Sequence, residues 1–120
     1  MSDTSIDLVV RFSIKPGKLE AFRAKVQEIA AAVEAEEPQT VAYTTYVDAE
    51  GKAAILIERY RSSEDFLAHF KRTGPALGPL LELAPATEIL TLGAPNDAAK
   101  GLLASISATF LTKVSGFSRG

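Results

Sequence analysis

The sequence predicts an α+β fold of the ferredoxin-like kind, a βαββαβ antiparallel sheet with both main helices on one face and an added C-terminal helix. Three observations predict it. Four segments carry strand patterning, the stretches between the first and second and between the third and fourth carry apolar residues at helical spacing, and a tight turn joins the second strand to the third.

The first strand runs from Ile6 to Ile14, where Ile6, Leu8, Val10, Phe12 and Ile14 alternate with Asp7, Val9, Arg11 and Ser13. Val9 breaks the alternation, so the second face of the strand also wants a cover. Pro16-Gly17 ends it. Leu19, Phe22, Val26, Ile29 and Val33 then form one stripe of a helix from about Lys18 to Ala35. Glu34, Glu36 and Glu37 crowd its carboxyl end, where the helix dipole disfavours negative charge, and Pro38 stops it.

Val41 to Val47, rich in valine, threonine and tyrosine, is the second strand. Asp48-Ala49-Glu50-Gly51 turns the chain into the third, Ala53 to Tyr60. Ser62 reads as an N-cap with Asp65 as its acidic partner. The helix it starts presents Phe66, His69 and Phe70 on one side and Glu64, Lys71 and Arg72 on the other. Thr73-Gly74-Pro75 is expected to interrupt that helix, with Ala76 to Leu83 as a separate short piece closed by Pro85. Thr87 to Leu92 is the fourth strand and Gly93-Ala94-Pro95-Asn96 its exit. A last helix is expected from Asp97, as N-cap, to about Val114, with Leu102, Leu103, Ile106, Phe110 and Val114 on one face. Residues 1–95 thus form the core domain, and residues 96–120 an amphipathic helix and tail belonging to the same domain or to a dimer seam.

At 120 residues and 47% hydrophobic content the chain suits one compact domain. A net charge of -2 offers no field that would gather nucleic acid. The absence of cysteine removes disulfides and thiolate chemistry, and a single histidine leaves the usual zinc sites short of ligands, so neither metal nor cofactor is expected. Met1 to Ser5 does not read as a secretory signal and no apolar run is long enough for a bilayer, so no membrane partner and a cytoplasmic location are expected. The uncovered sheet face needs either the tail helix or a second copy of the chain. Burying three aliphatic side chains there is worth on the order of 5 to 9 kcal/mol, which favours a homodimer with its sheets face to face and the tails around the seam.

Three short motifs carry a resemblance: Lys15-Pro16-Gly17-Lys18 after the first strand, Glu58-Arg59-Tyr60 at the end of the third, and Ala68-His69-Phe70 on the second helix. In their order and spacing the chain resembles the antibiotic biosynthesis monooxygenase family of dimeric α+β barrels, over Asp7 to about Gly93. The resemblance implies a small pocket between the sheet and the second helix. Members of that family include oxygenases of phenolic or quinol substrates that use neither metal nor flavin, a related branch that binds and degrades haem, and many proteins of unknown activity. The fold alone does not choose among them. The haem branch carries an asparagine on its first strand, whereas the one asparagine here is Asn96. The third-strand aromatic, commonly tryptophan in the family, is Tyr60.

His69 is the expected proton-handling residue, since imidazole can take a proton from a phenolic hydroxyl before oxygen attacks the ring. On that reading its replacement by alanine abolishes oxygen uptake and leaves the melting temperature near wild type. Glu58, Tyr60, Tyr46, Phe66 and Phe70 are the expected substrate-binding residues, around a small aromatic ligand. Glu58 either orients His69 or a substrate hydroxyl, or pairs with Arg11, Arg59 or Arg61; it shares a sheet face with Tyr60 but not with Arg59. Arg11 either pairs across the dimer seam or meets an anionic ligand. The competing expectation is a dimeric ligand-binding or scaffold protein with no turnover, its pocket narrow or plugged.

Overall fold

The computed structural model describes residues 4–119, so the start of the amino-terminal stretch, Met1 to Asp3, lies outside the described residues. Its elements are β1 (Ile6–Ser13), α1 (Leu19–Glu36), β2 (Thr40–Val47), β3 (Ala53–Tyr60), α2 (Ser63–Leu83), β4 (Ala86–Gly93), α3 (Asp97–Ser105) and β5 (Thr109–Leu111). The sheet order is β2-β3-β1-β4-β5, antiparallel except for the parallel β4–β5 pair. This is the expected α+β, ferredoxin-like arrangement, extended by one strand.

Alternation in β1 works as the sequence implies. Ile6, Leu8, Val10 and Phe12 are buried under the helices, while Asp7, Val9, Arg11 and Ser13 turn to the other face. Val10, Phe12, Ala54 and Leu56 pack against Phe22, Ile29 and Val33 of α1. A second cluster joins Ile6, Leu8, Tyr60 and Phe66 to Ala99 and Leu103 of α3. Ser62 caps α2 through its side chain, which accepts from the Asp65 N–H at 3.2 Å.

Two expectations need correction. The second helix is not interrupted: α2 runs unbroken from Ser63 to Leu83 with Pro75 and Pro79 inside it. The two prolines stand four residues apart and are both exposed, as is Lys71 one turn earlier, so water can hydrate the carbonyls whose intrahelical donors are missing. Thr73 and Leu80 meanwhile hold the buried side.

The C-terminal helix does not reach Val114. It ends at Ser105, and Ser107 adopts φ 65° just beyond. The Ser107 N–H bonds the Ala104 carbonyl and the Ala108 N–H bonds the Leu103 carbonyl, a Schellman ending that satisfies the last carbonyls and turns the chain into β5. Its N-cap is Asn96, not Asp97, with the side chain accepting from the Ala99 N–H at 2.9 Å.

Because Ala99 and Leu103 pack beside Phe66, α3 lies on the helical side of the sheet and leaves the opposite face bare. Val9, Ile55, Ile57, Leu90 and Leu92 follow one another across that face in register. Its charges are already paired within the chain: Arg11 Nε donates to Glu88 at 3.0 Å, and Arg59 makes a two-pronged bond to Asp7 at 2.8 and 2.9 Å. Arg11 thus pairs with Glu88 of the neighbouring strand. No helix among the described residues is long and apolar enough to cross a membrane.

Candidate functional site

Pro38 stops α1 one residue after Glu37, and the turn folds the Glu37 side chain back beneath α2. There its carboxylate collects four donors. Oε1 faces His69 Nδ1 at 2.6 Å and accepts from Thr40 at 3.0 Å; Oε2 accepts from Thr73 at 2.6 Å and from Arg72 at 3.3 Å. His69 and Thr73 are four residues apart on α2, so one turn of helix presents both to the same carboxylate.

From the sheet side, β2 and β3 pair Tyr43 directly opposite Glu58, with both side chains toward α2. Tyr60, two residues on, shares that face, and its hydroxyl donates to Glu58 Oε1. Glu58 Oε1 also lies 3.5 Å from His69 Nε2, so the imidazole is held between two carboxyl groups. The rings of Tyr43 and Tyr60 each stand 5.3 Å from that of His69. Glu37, Glu58, Tyr60 and His69 are each at most 6% exposed.

Burial pushes the Glu58 carboxyl above its ordinary 4.5, and the charge of Glu37 adds to the rise, against the opposing pull of His69 and the Tyr60 hydrogen bond. Burial likewise raises Tyr60 and Tyr43 above the ordinary phenol value, with Glu58 and then Glu37 contributing. Both phenols stay protonated at neutral pH.

For Glu58 the folded state favours the protonated form. Its contribution to stability is complete below about pH 4.5 and is lost as pH rises through the raised folded value. Glu58→Gln cannot ionise and keeps an acceptor for Tyr60. Its unfolding free energy is expected to decline less than that of wild type between about pH 5 and about pH 8, and at pH 7 to be at least as large, in urea melts across that range. A variant with the same slope as wild type would show that Glu58 does not carry the strain.

Of the residues singled out from sequence, the structure brings together His69, Glu58, Tyr60 and Phe66, the last with its ring 5.6 Å from that of Tyr60. Phe70 stands behind Phe66 at 6.1 Å. Tyr46 does not belong to this group: it projects from the opposite sheet face and is 58% exposed. Tyr43, three residues earlier and hence on the other face of β2, takes its place. Glu58 makes none of the arginine pairs considered for it, because Arg59 and Arg11 point to the bare face.

Glu37 and Thr73 were not singled out. The signal for Glu37 was its position, an acid at a helix end that repels it, which a hydrogen-bonded role would explain. Thr73 was hidden by the adjacent Gly74-Pro75, which reads as a break.

Between the sheet and α2, Glu37, Glu58, Tyr43 and Tyr60 surround His69 and leave it 4% exposed. Two hollows lie elsewhere on the molecule. One of about 490 Å³ touches Arg11, Tyr46, Lys52 and Thr87, and one of about 730 Å³ touches Asp7, Arg59, Leu92 and Phe117; neither is lined by His69. No group of three histidine, aspartate or glutamate side chains among the described residues is arranged to hold a metal ion.

The profile of a family described as antibiotic biosynthesis monooxygenase matches residues 6–74. In structure the chain is similar to MupZ from Pseudomonas fluorescens, with a TM-score of 0.84, 22% identity, and 97% of this chain and 95% of that one covered. It is also similar to a variant of SnoaB, a cofactor-independent oxygenase from Streptomyces nogalater, with a TM-score of 0.64, 20% identity, and 79% and 96% of the two chains covered. At these identities the likeness is one of fold. No curated protein matches the sequence.

Proposed function

The chain belongs to the antibiotic biosynthesis monooxygenase family, and from that premise we propose that it is a cofactor-independent monooxygenase of a small aromatic, phenolic or quinol substrate, with His69 as its proton-handling group. The observation that carries the reading is the sealed network Glu37, His69, Glu58 and Tyr60. Two carboxyl groups, an imidazole and a phenol buried together are costly to a fold, and burial raises the pKa of both Glu58 and Tyr60, the mark of a candidate working site.

In this reading a substrate hydroxyl loses its proton toward His69 Nε2, leaving an electron-rich phenolate that reduces molecular oxygen. Oxygen bonds to a ring carbon, that carbon loses its proton, and the O–O bond breaks. One oxygen stays as the new carbonyl and the other leaves as water. The substrate gives up four electrons and dioxygen takes four, so no other reductant is needed. Glu58 receives or returns the second proton, and Phe66 and Phe70 supply the aromatic wall. The substrate reaches the network past Tyr43, the half-buried ring at its outer edge.

The working unit in this proposal is a homodimer joined through the bare sheet faces, with residues 96–120 part of the same domain; the packing of Ala99 and Leu103 into the core supports the latter. The test is an oxygen electrode with a panel of hydroquinones and polycyclic phenols, with chelator present. The expected result is oxygen uptake equal to substrate consumed, with one labelled oxygen atom from dioxygen in the product.

The burial of His69, 4% exposed, favours a second reading, a dimeric binding protein without turnover. It predicts saturable quenching of tyrosine fluorescence by the same compounds and no oxygen uptake with any of them.

A further inference from the structure

We infer that Glu37 is a positioning residue that fixes His69 in one tautomer, with hydrogen on Nδ1 and with Nε2 as the nitrogen that exchanges protons. A carboxylate accepts hydrogen bonds and donates none. Glu37 Oε1 meets His69 Nδ1 at 2.6 Å, so that nitrogen carries a hydrogen. Thr40, Thr73 and Arg72 occupy the remaining acceptor positions of the same carboxylate and hold it against rotation. Arg72 can only donate, which keeps Oε2 an acceptor.

The other nitrogen faces a different neighbour. Nε2 lies 3.5 Å from Glu58 Oε1, between the rings of Tyr43 and Tyr60. The Tyr60 hydroxyl is committed to Glu58 as a donor. Nε2, whose nearest polar neighbour in the network is Glu58, is thus the nitrogen left to take up or release a proton. The two glutamates divide the work. Glu37, tied to both α1 and α2, orients the ring; Glu58, on the sheet, trades the proton. The link to turnover rests on the proposed function; the tautomer itself does not.

The single histidine makes the test direct. In protein labelled with nitrogen-15 at histidine, the two ring nitrogens report separately which one bears hydrogen. Wild type is expected to show hydrogen on Nδ1 and the neutral-imidazole signal of a bare nitrogen at Nε2. In Glu37→Gln the amide can turn either its oxygen or its NH₂ to Nδ1, and the preference for Nδ1–H over Nε2–H is expected to fall about tenfold or more, the loss of one charge-assisted hydrogen bond. Glu37→Asp, which keeps the charge, is expected to restore part of it.

A wild-type spectrum dominated by Nε2–H overturns the assignment, and it needs no variant to fold. An undiminished Nδ1–H preference in folded Glu37→Gln overturns it too. Wild-type protein with the expected tautomer but no oxygen uptake upholds the role of Glu37 and removes the oxygenase reading instead.

Discussion

His69→Ala will lower both activity and stability. The sequence alone suggested that the histidine could be removed with the fold untouched, but the ring fills the space between Glu37 and Glu58. Alanine deletes one of the two shortest hydrogen bonds to Glu37 and leaves two carboxyl groups facing a void. Leaving a buried carboxylate without one of its donors costs about 1 to 3 kcal/mol, and the cavity left by the ring about 2 kcal/mol or more. For a domain of this size that is a fall in melting temperature of roughly 10 °C or more. Oxygen uptake, corrected for the folded fraction, is expected to drop about 10² to 10⁴-fold, the usual worth of a positioned acid–base group. His69→Gln separates the two effects, because its amide can still donate to Glu37 while it cannot carry the proton. It should melt closer to wild type and remain as inactive as the alanine variant. Unchanged melting of His69→Ala would mean that the ring is not held as described.

Ile57→Asp is expected to convert a dimer into a monomer. Ile57 lies on the bare face of β3, opposite Val9 on one side and Thr44 on the other, and is 40% exposed in the single subunit. Its side chain points away from both core clusters, so the subunit should keep its fold. In the face-to-face dimer each copy would bury a carboxylate without a partner, since Arg11 and Arg59 are already taken by Glu88 and Asp7. A loss of about 4 kcal/mol over the two copies weakens the dissociation constant roughly a thousandfold. Light scattering over a dilution series reads this directly. Wild-type protein that is monomeric at high concentration would end the dimer proposal, and with it the reason for an apolar row on an open face.

Much of this architecture could be read from residues alone. The strand alternation of Ile6 to Phe12, the α1 stripe and the Ser62 cap are local signals, and each determines its own structure. What escaped was decided by distant partners. Thr73-Gly74-Pro75 looks like a break until Pro75 and Pro79 are seen to stand on the exposed side of one continuous helix. Phe110 and Val114 continue a helical spacing, but the parallel pairing of Thr109–Leu111 with β4 outweighs it once the Schellman turn has redirected the chain. Tyr43 and Tyr46 necessarily lie on opposite faces, being three apart in one strand. The choice between them depended on register, which β2, with threonines on both faces and a bulge between Thr40 and Ala42, does not announce. Glu37 is legible only as a misplaced charge. Its role appears when α2 brings His69 and Thr73 to it.

The proposed function has the buried acid–base network turn over a phenolic or quinol substrate with dioxygen. The most direct measurement is oxygen consumption by wild type, Glu58→Gln and His69→Gln on the same substrate, each scaled to its folded fraction. The account predicts steady uptake by wild type, matched one to one by substrate loss, and a drop of about a hundredfold or more in His69→Gln. Equal rates in wild type and His69→Gln, or binding without any uptake in all three, would contradict it.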